Sequence, residues 1–366
     1  MPGAPRRCPY RSTPANTSRE ARDYYIDARR TSSVVSPVVL LPASFAILLA
    51  GALLFTNAIE WFGSMLNLGQ GAVGSILAAV ATALPESLIP VVAIIGGERG
   101  SKDVAVGAIL GAPLLLATIA MALVGVAALL YRGRRPQGLS LSVHPPTLER
   151  DLAFFIGCFV VALGVGLGAP QALQIVAAAV LIAAYVLYVA WTLRHSGPVE
   201  SEEALKPLIM DTTRGDPPGM LTVIVQLFVA LAAIAGGAHL FVEQILHVAG
   251  SVGLQPLVLS LVLAPFATEL PEKANSFFWI RDGKDSLALG NITGAMVFQS
   301  TIPVSIGLLF TSWQLDTYSI LAGCLALTGG VIAIVTLQIR GRFNGRAIAV
   351  WAALYVIFVG YVAAAA

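Results

Sequence analysis

The stretch ATELPEKANSFFWI, Ala267–Ile280, sets Glu269, Glu272 and Lys273 within five residues of one another inside a long apolar run. A shorter stretch, ATALPES at Ala81–Ser87, places Glu86 in a similar setting. In both, a glutamate directly follows a proline. Proline has no N–H, so Pro85 and Pro271 deprive the carbonyls of Ala81 and Ala267 of their helical donors. One turn before each glutamate stands a threonine, Thr82 for Glu86 and Thr268 for Glu272. Carboxylate, hydroxyl and freed carbonyl together make an all-oxygen donor set. Hard cations such as Ca²⁺ and Na⁺ take such ligands, whereas softer transition metals prefer His or Cys. A Pro–Glu kink satisfied by a neighbouring hydroxyl would be purely structural, but its occurrence at two matched places favours cation chemistry.

The elements that must position these groups follow from composition. The chain has 366 residues, 57% hydrophobic and only 11% charged, with a mean hydropathy of +0.82. That balance predicts an all-α integral membrane protein, because runs of about 20 apolar residues cross a bilayer as helix. Ten such spans are expected, at 36–60, 71–96, 104–131, 152–168, 171–193, 219–247, 254–280, 286–311, 316–338 and 346–365. The alternation of a β-barrel is missing. A charge at the bilayer centre costs about 2.5–3.5 kcal/mol on insertion scales, so mid-span Glu86, Glu269 and Glu272 should face the bundle interior.

Composition also excludes function classes. The three cysteines, Cys8, Cys158 and Cys324, are scattered and form neither a disulfide framework nor a metal pair. Nothing resembles a nucleotide-binding loop or a nucleophile–base constellation, so neither an enzyme nor a cofactor is expected. No nucleic-acid partner is implied; the expected partners are inorganic cations and the lipid bilayer. Oligomeric state is not legible.

The chain repeats itself. Shifted by 186 residues, ATALPES at Ala81–Ser87 falls on ATELPEK at Ala267–Lys273, and GALLFTNAIE at Gly51–Glu60 falls on GAHLFVEQIL at Gly237–Leu246. With three residues of slippage, GAILGA at Gly107–Ala112 falls on GNITGA at Gly290–Ala295. The expected organisation is a disordered polar tail over 1–35, a five-helix repeat over 36–193, a hydrophilic linker over 194–218 and a second five-helix repeat over 219–366. Five spans per repeat is odd, so the second repeat must be inverted in the membrane. Inverted repeats typify secondary transporters with a midplane site. Positive charge orients the chain. With the N-terminus outside the plasma (inner) membrane, the cytoplasmic loops carry twelve Lys and Arg, against Arg99 and Lys102 outside. The seven arginines of the tail argue the opposite way.

ATALPES and ATELPEK resemble the GTSLPE signature of the sodium/calcium exchangers, members of the cation/Ca²⁺ antiporter superfamily. GNITGAMVFQ at Gly290–Gln299 is similar to that family's GNxxGSNxxN. The resemblance spans both halves. It implies ten helices in two inverted five-helix repeats, and Ca²⁺ moved against Na⁺ or another cation. It places the family's cation-binding glutamates on Glu86 and Glu272 and its threonines on Thr82 and Thr268. The departures are on the same positions. The serine after each threonine is Ala83 in one half and Glu269 in the other. In the third helix the family's Ser and last Asn fall on Ala112 and Leu116, which bring no oxygen. In the eighth they fall on Ala295 and Gln299, of which only Gln299 retains one.

Glu269 and Lys273 stand four apart with Glu first, the favourable helical order for an ion pair. Lys273 would then neutralise the extra carboxylate; alternatively it snorkels toward a water-filled vestibule. Three carboxylates and one ammonium leave two negative charges, enough for one divalent or two monovalent cations. Asn291, Thr293, and His239 with Glu243 one turn on, are candidates for the pathway or for helix packing; Asn57 is the repeat mate of Glu243. The leading expectation is a secondary active antiporter exchanging Ca²⁺ against Na⁺. The alternatives are exchange against H⁺, and a membrane protein that binds a cation without moving it.

Overall fold

Apolar stretches in this chain become helices because a helix satisfies every backbone N–H and C=O within one segment, which lipid demands. The computed structural model describes residues 37–65, 86–135, 137–195, 205–211, 218–340, 343–344 and 348–365. For a few residues within these stretches, Glu272 among them, only the backbone is described. The expected disordered tail, and the segment holding Ala81, Thr82 and Pro85, lie outside the described residues.

The helices are α1 (Pro37–Met65), α2 (Glu86–Gly96), α3 (Ser101–Leu130), α4 (Pro145–Gly166), α5 (Gln171–His195), α6 (Met220–Val252), α7 (Pro256–Arg281), α8 (Asp285–Phe310), α9 (Thr317–Arg340) and α10 (Ile348–Ala365). Among the described residues, six of these are long and apolar enough to cross a membrane: α1, α3, α5, α6, α8 and α9. A π-helical turn, Leu116–Ala120, interrupts α3. A turn at Ser300–Thr301 interrupts α8, because Pro303 cannot donate to the carbonyl of Gln299.

Burial sorts the helices. In the apolar windows of α3 and α8, 72% and 67% of residues are buried, against 22% for α1 and α5 and 28% for α6. So α3 and α8 form the centre, and α1, α5 and α6 turn much of their surface outward. Helix α1 packs along α6, and α3 along α7. Both crossings use small residues, the usual device when lipid is as apolar as the side chains. A Cβ added at Gly51 would lie 2.8 Å from Ile234 Cγ1, and one at its repeat mate Gly237 would lie 3.1 Å from Leu48. On α3, Cβ atoms at Gly107 and Gly111 would run into the carbonyls of Leu257 and Leu261.

Loop contacts define the two ends of the bundle. At one end Ser140–Leu141 pairs antiparallel with Phe343–Asn344, and Arg135 meets Asp285 at 2.6 Å with both side chains fully buried. At the other, Trp313 donates to the Ala162 carbonyl at 3.0 Å, and the Leu315 N–H to Gly166 at 3.0 Å. The linker is not all solvated. Its 205–211 segment lies across α1 and α6, with Leu208 buried. There Asn57 Nδ2 donates to the Pro207 carbonyl at 3.2 Å, while its Oδ1 accepts from the Ile209 N–H and from Gln226, both at 2.9 Å.

Candidate functional site

Three helices bring polar side chains to one buried place. Helix α2 contributes Glu86, 8% exposed; α7 contributes Glu269 and Lys273, both 0%; α8 contributes Gln299, 1%. Each is carried by an otherwise apolar segment, so the cluster is enclosed by aliphatic surface. Ala264 and Ala267 on α7 pack in the same apolar cluster as Ile89 and Ala93 of α2.

Gln299 joins the cluster together. Its Nε2 donates to Glu269 Oε1 at 2.8 Å and also to Glu86 Oε2. An amide turned the other way would aim its oxygen at two carboxylates, so chemistry fixes the orientation. Such hydrogen bonds to charged acceptors contribute about 1.5–3 kcal/mol each. The second Glu269 oxygen, Oε2, lies 3.7 Å from Lys273 Nζ. Glu269 therefore divides its oxygens between an amide from another helix and an ammonium one turn along its own. Since Lys273 is wholly buried, the snorkelling alternative does not describe it.

The remaining expected residues divide. Ala267 is buried beside the cluster, and its carbonyl faces Pro271 in sequence, which has no N–H to offer. Thr268 is half-buried and donates back to the Ala264 carbonyl at 3.3 Å rather than to a carboxylate. The backbone of Glu272 continues α7, while its side chain is outside the described set, as are Ala81 and Thr82. Asn291 is half-buried, eight residues before Gln299 on α8, and its Nδ2 has no hydrogen-bond partner among the described residues. Glu243 is not brought to the cluster. It sits on the exposed side of α6, as does His239, because α6 presents Val242 and Ile245 to its neighbours instead.

Two of the polar residues bridge elements away from the cluster. Thr293 donates to Asp151 of α4 at 2.9 Å, and Asp151 also accepts from Arg150 Nη2 at 2.7 Å and from the Tyr188 hydroxyl at 2.6 Å. Asn57 belongs to the linker contact rather than to a pathway. Leu116, where the exchangers carry a polar side chain, is buried in aliphatic packing, and Ala112, at another such position, is buried as well.

The family model described as "Sodium/calcium exchanger protein" matches residues 36–194 and 222–364. This chain belongs to that family. Among its relatives is a protein of Alkalimonas amylolytica named as an antiporter, CaxA. It is 27% identical over 309 residues, covering 81% of this chain and 88% of CaxA. The inner membrane protein YrbG of Escherichia coli strain K12 is 25% identical over 248 residues, 67% of this chain and 70% of YrbG. The crystal structure of the H⁺/Ca²⁺ exchanger CAX shares the fold, with a TM-score of 0.69 at 19% identity, over 95% of this chain and 87% of CAX. The sodium-calcium exchanger NCX_Mj, soaked with Na⁺ and Sr²⁺, gives a TM-score of 0.56 at 18% identity, over 90% and 99% of the two chains. A sodium/calcium exchanger family member is a membrane transporter of cations.

Proposed function

We propose that this exchanger-family protein is a secondary active antiporter that carries Ca²⁺ against Na⁺ by alternating access at the Glu86–Glu269–Gln299 cluster. The observation that carries the reading is that carboxylates from the two halves of the chain, Glu86 and Glu269, converge on one buried amide. Glu86 and Glu272 are the direct ligands in this reading. Glu269, the Gln299 oxygen, Thr82, Thr268 and the carbonyls of Ala81 and Ala267 complete the donor set. Two inverted five-helix repeats in the plasma membrane, with the N-terminus outside, would expose the cluster alternately. In support, the 97–100 loop packs beside Leu246 and Pro256, at the start of α7, whereas 282–284 follows its end. These points are separated by a helix of 26 residues, about 39 Å.

A second reading, exchange against H⁺, is favoured by Ala112 and Leu116, which are buried and bring no side-chain oxygen where the exchangers have sodium-binding side chains. The relatives' names include both couplings, H⁺/Ca²⁺ and sodium-calcium. The decisive measurement is Ca²⁺ accumulation by the purified full-length protein in liposomes, driven first by a Na⁺ gradient and then by a pH gradient. Accumulation only under the pH gradient replaces Na⁺ by H⁺. Accumulation under neither, with Ca²⁺ binding retained, makes the protein a cation binder that does not transport. Cysteine labelling should place 97–102 and 281–285 on opposite membrane faces; labelling of both from one side overturns the inversion.

A further inference from the structure

Two carboxylates aimed at one point are what a hard cation takes as ligands, yet the atom they meet in this molecule is a nitrogen. Glu86 Oε2 and Glu269 Oε1, from different halves of the chain, both accept from Gln299 Nε2. All three side chains are buried, where two carboxylates repel strongly unless something positive or an N–H donor lies between them. Lys273 stands against the other Glu269 oxygen, Oε2, at 3.7 Å. The amide therefore has Oε1 of Glu269 to itself as far as the ammonium is concerned, and it is the group that bridges α2 and α7.

A primary amide carries donors at one end and lone pairs at the other. To a carboxylate an N–H offers what a cation offers, but a hard cation accepts oxygen ligands only. Nε2 therefore cannot remain between Glu86 and Glu269 once a cation lies there. A half-turn about the last side-chain bond exchanges the two ends, and that torsion has a broad, roughly two-fold profile. Among the described residues Gln299 Oε1 accepts no hydrogen bond, so the turn gives up only the two bonds to the carboxylates, which the cation replaces. We infer, on the antiport reading above, that Gln299 is a turning amide: its nitrogen bridges Glu86 and Glu269 when no cation lies between them, and its oxygen is a ligand when one does. The nitrogen keeps carboxylates of the two halves joined through the cation-free step of the cycle, and the oxygen adds a donor in the loaded step. Leu116, at the matched place on α3, can do neither, so one half of the chain carries the switch. The role is the same whether Na⁺ or H⁺ is the coupling ion.

The test is Ca²⁺-induced infrared difference spectroscopy on the full-length protein in liposomes. Carboxylate and side-chain amide carbonyl bands report separately, and an amide band lost in Gln299→Met belongs to Gln299. Wild type is expected to show the carboxylate shifts and the Gln299 carbonyl shift over the same range of Ca²⁺ concentration. Carboxylate shifts with no Gln299 band overturn the turning amide and leave the cation site intact. No carboxylate shift at all removes the site from the antiport reading, and this inference with it. If Gln299→Met does not fold, structures of wild type solved with and without Ca²⁺ decide the matter. The Gln299 oxygen within about 2.3–2.6 Å of the ion supports the turn, and Nε2 still donating to Glu86 and Glu269 with the ion bound overturns it. Gln299→Glu, which keeps an oxygen and has no N–H, probes the cation-free step. It is expected to melt below wild type without Ca²⁺ and to gain more than wild type when Ca²⁺ is added. Equal melting of the two proteins without Ca²⁺ overturns the bridging role of the nitrogen.

Discussion

Helices α3 and α8 carry the matched stretches GAILGA and GNITGA and are the two most deeply buried of the long apolar helices described, yet they present different surfaces. On α3, Gly107 and Gly111 let the backbone of α7 approach at Leu257 and Leu261, Leu116 fills apolar core and Ala112 is buried. The one hydroxyl of its π-helical turn, Thr118, turns back onto the Leu114 carbonyl. On α8 the mates of those glycines, Gly290 and Gly294, would meet nothing among the described residues within 4 Å of an added Cβ. The same helix offers Asn291, Thr293 and Gln299. Two central helices with matched sequence stretches thus differ: one packs through glycines and apolar side chains, and the other carries polar ones. The two helices need not match in chemistry for the cluster to form, because one long amide on α8 reaches carboxylates on both α2 and α7.

The largest effect should come from the carboxylates that each half contributes. Glu86→Gln and Glu272→Gln are each expected to abolish Ca²⁺-dependent flux in liposomes while folding is retained; near-wild-type flux in either removes that residue from the ligand set. Next is Gln299→Leu, which gives α8 the residue type that α3 carries at Leu116. Glu86 and Glu269 would lose their shared donor, at about 1.5–3 kcal/mol per charged hydrogen bond. Transport is expected to fall at least about ten-fold, and an unchanged rate would show that the amide only fills space. A matched pair of glycine changes probes packing alone. Gly111→Ala should lower thermal stability by about 1–3 kcal/mol through overpacking, because its Cβ meets the Leu261 carbonyl, whereas Gly294→Ala should be close to neutral. Equal melting temperatures for the two variants would mean the helices are not distinguished in this way.

The smallest effect is expected at the loop after α7. Arg281 and Asp282 form an exposed pair at 2.8 Å, and the Arg281 hydrogen bond holds the Asp282 carboxyl below its ordinary value. A lowered carboxylate pKa adds stability above the unfolded value, and that contribution is lost as pH falls through the folded one. Solvent screening makes such a pair worth little. Arg281→Gln should leave melting at neutral pH within measurement error, and only a scan into strong acid should separate it from wild type. A clear loss at neutral pH would place this loop in a larger network.

Part of the polar cluster was legible because its clues are local. Glu86 and Glu269 stand in apolar runs, and a carboxylate buried there demands a purpose. The Glu269–Lys273 pairing follows from helical rise and turn, since residues four apart share a face. Gln299 was noticed only as an oxygen retained at a family position; its role as a donor between two carboxylates came from the structure. For Glu243 and Thr293 the sequence left pathway and helix packing open, since a polar residue in a span states that it needs a partner or an exit, not which.

The sequence by itself determined that this is a helical membrane protein with carboxylates set in its apolar runs, because hydropathy, proline chemistry and four-residue spacing act over a few neighbouring residues. Only the tertiary structure decided which side chains meet. Gln299 reaches Glu86 across 213 residues of chain, Arg135 reaches Asp285 across 150, and Thr293 reaches Asp151 across 142. Contacts of that range depend on how helices rotate and cross when their small residues let them approach. That rotation is set by the packing of the whole bundle, so no local pattern encodes it.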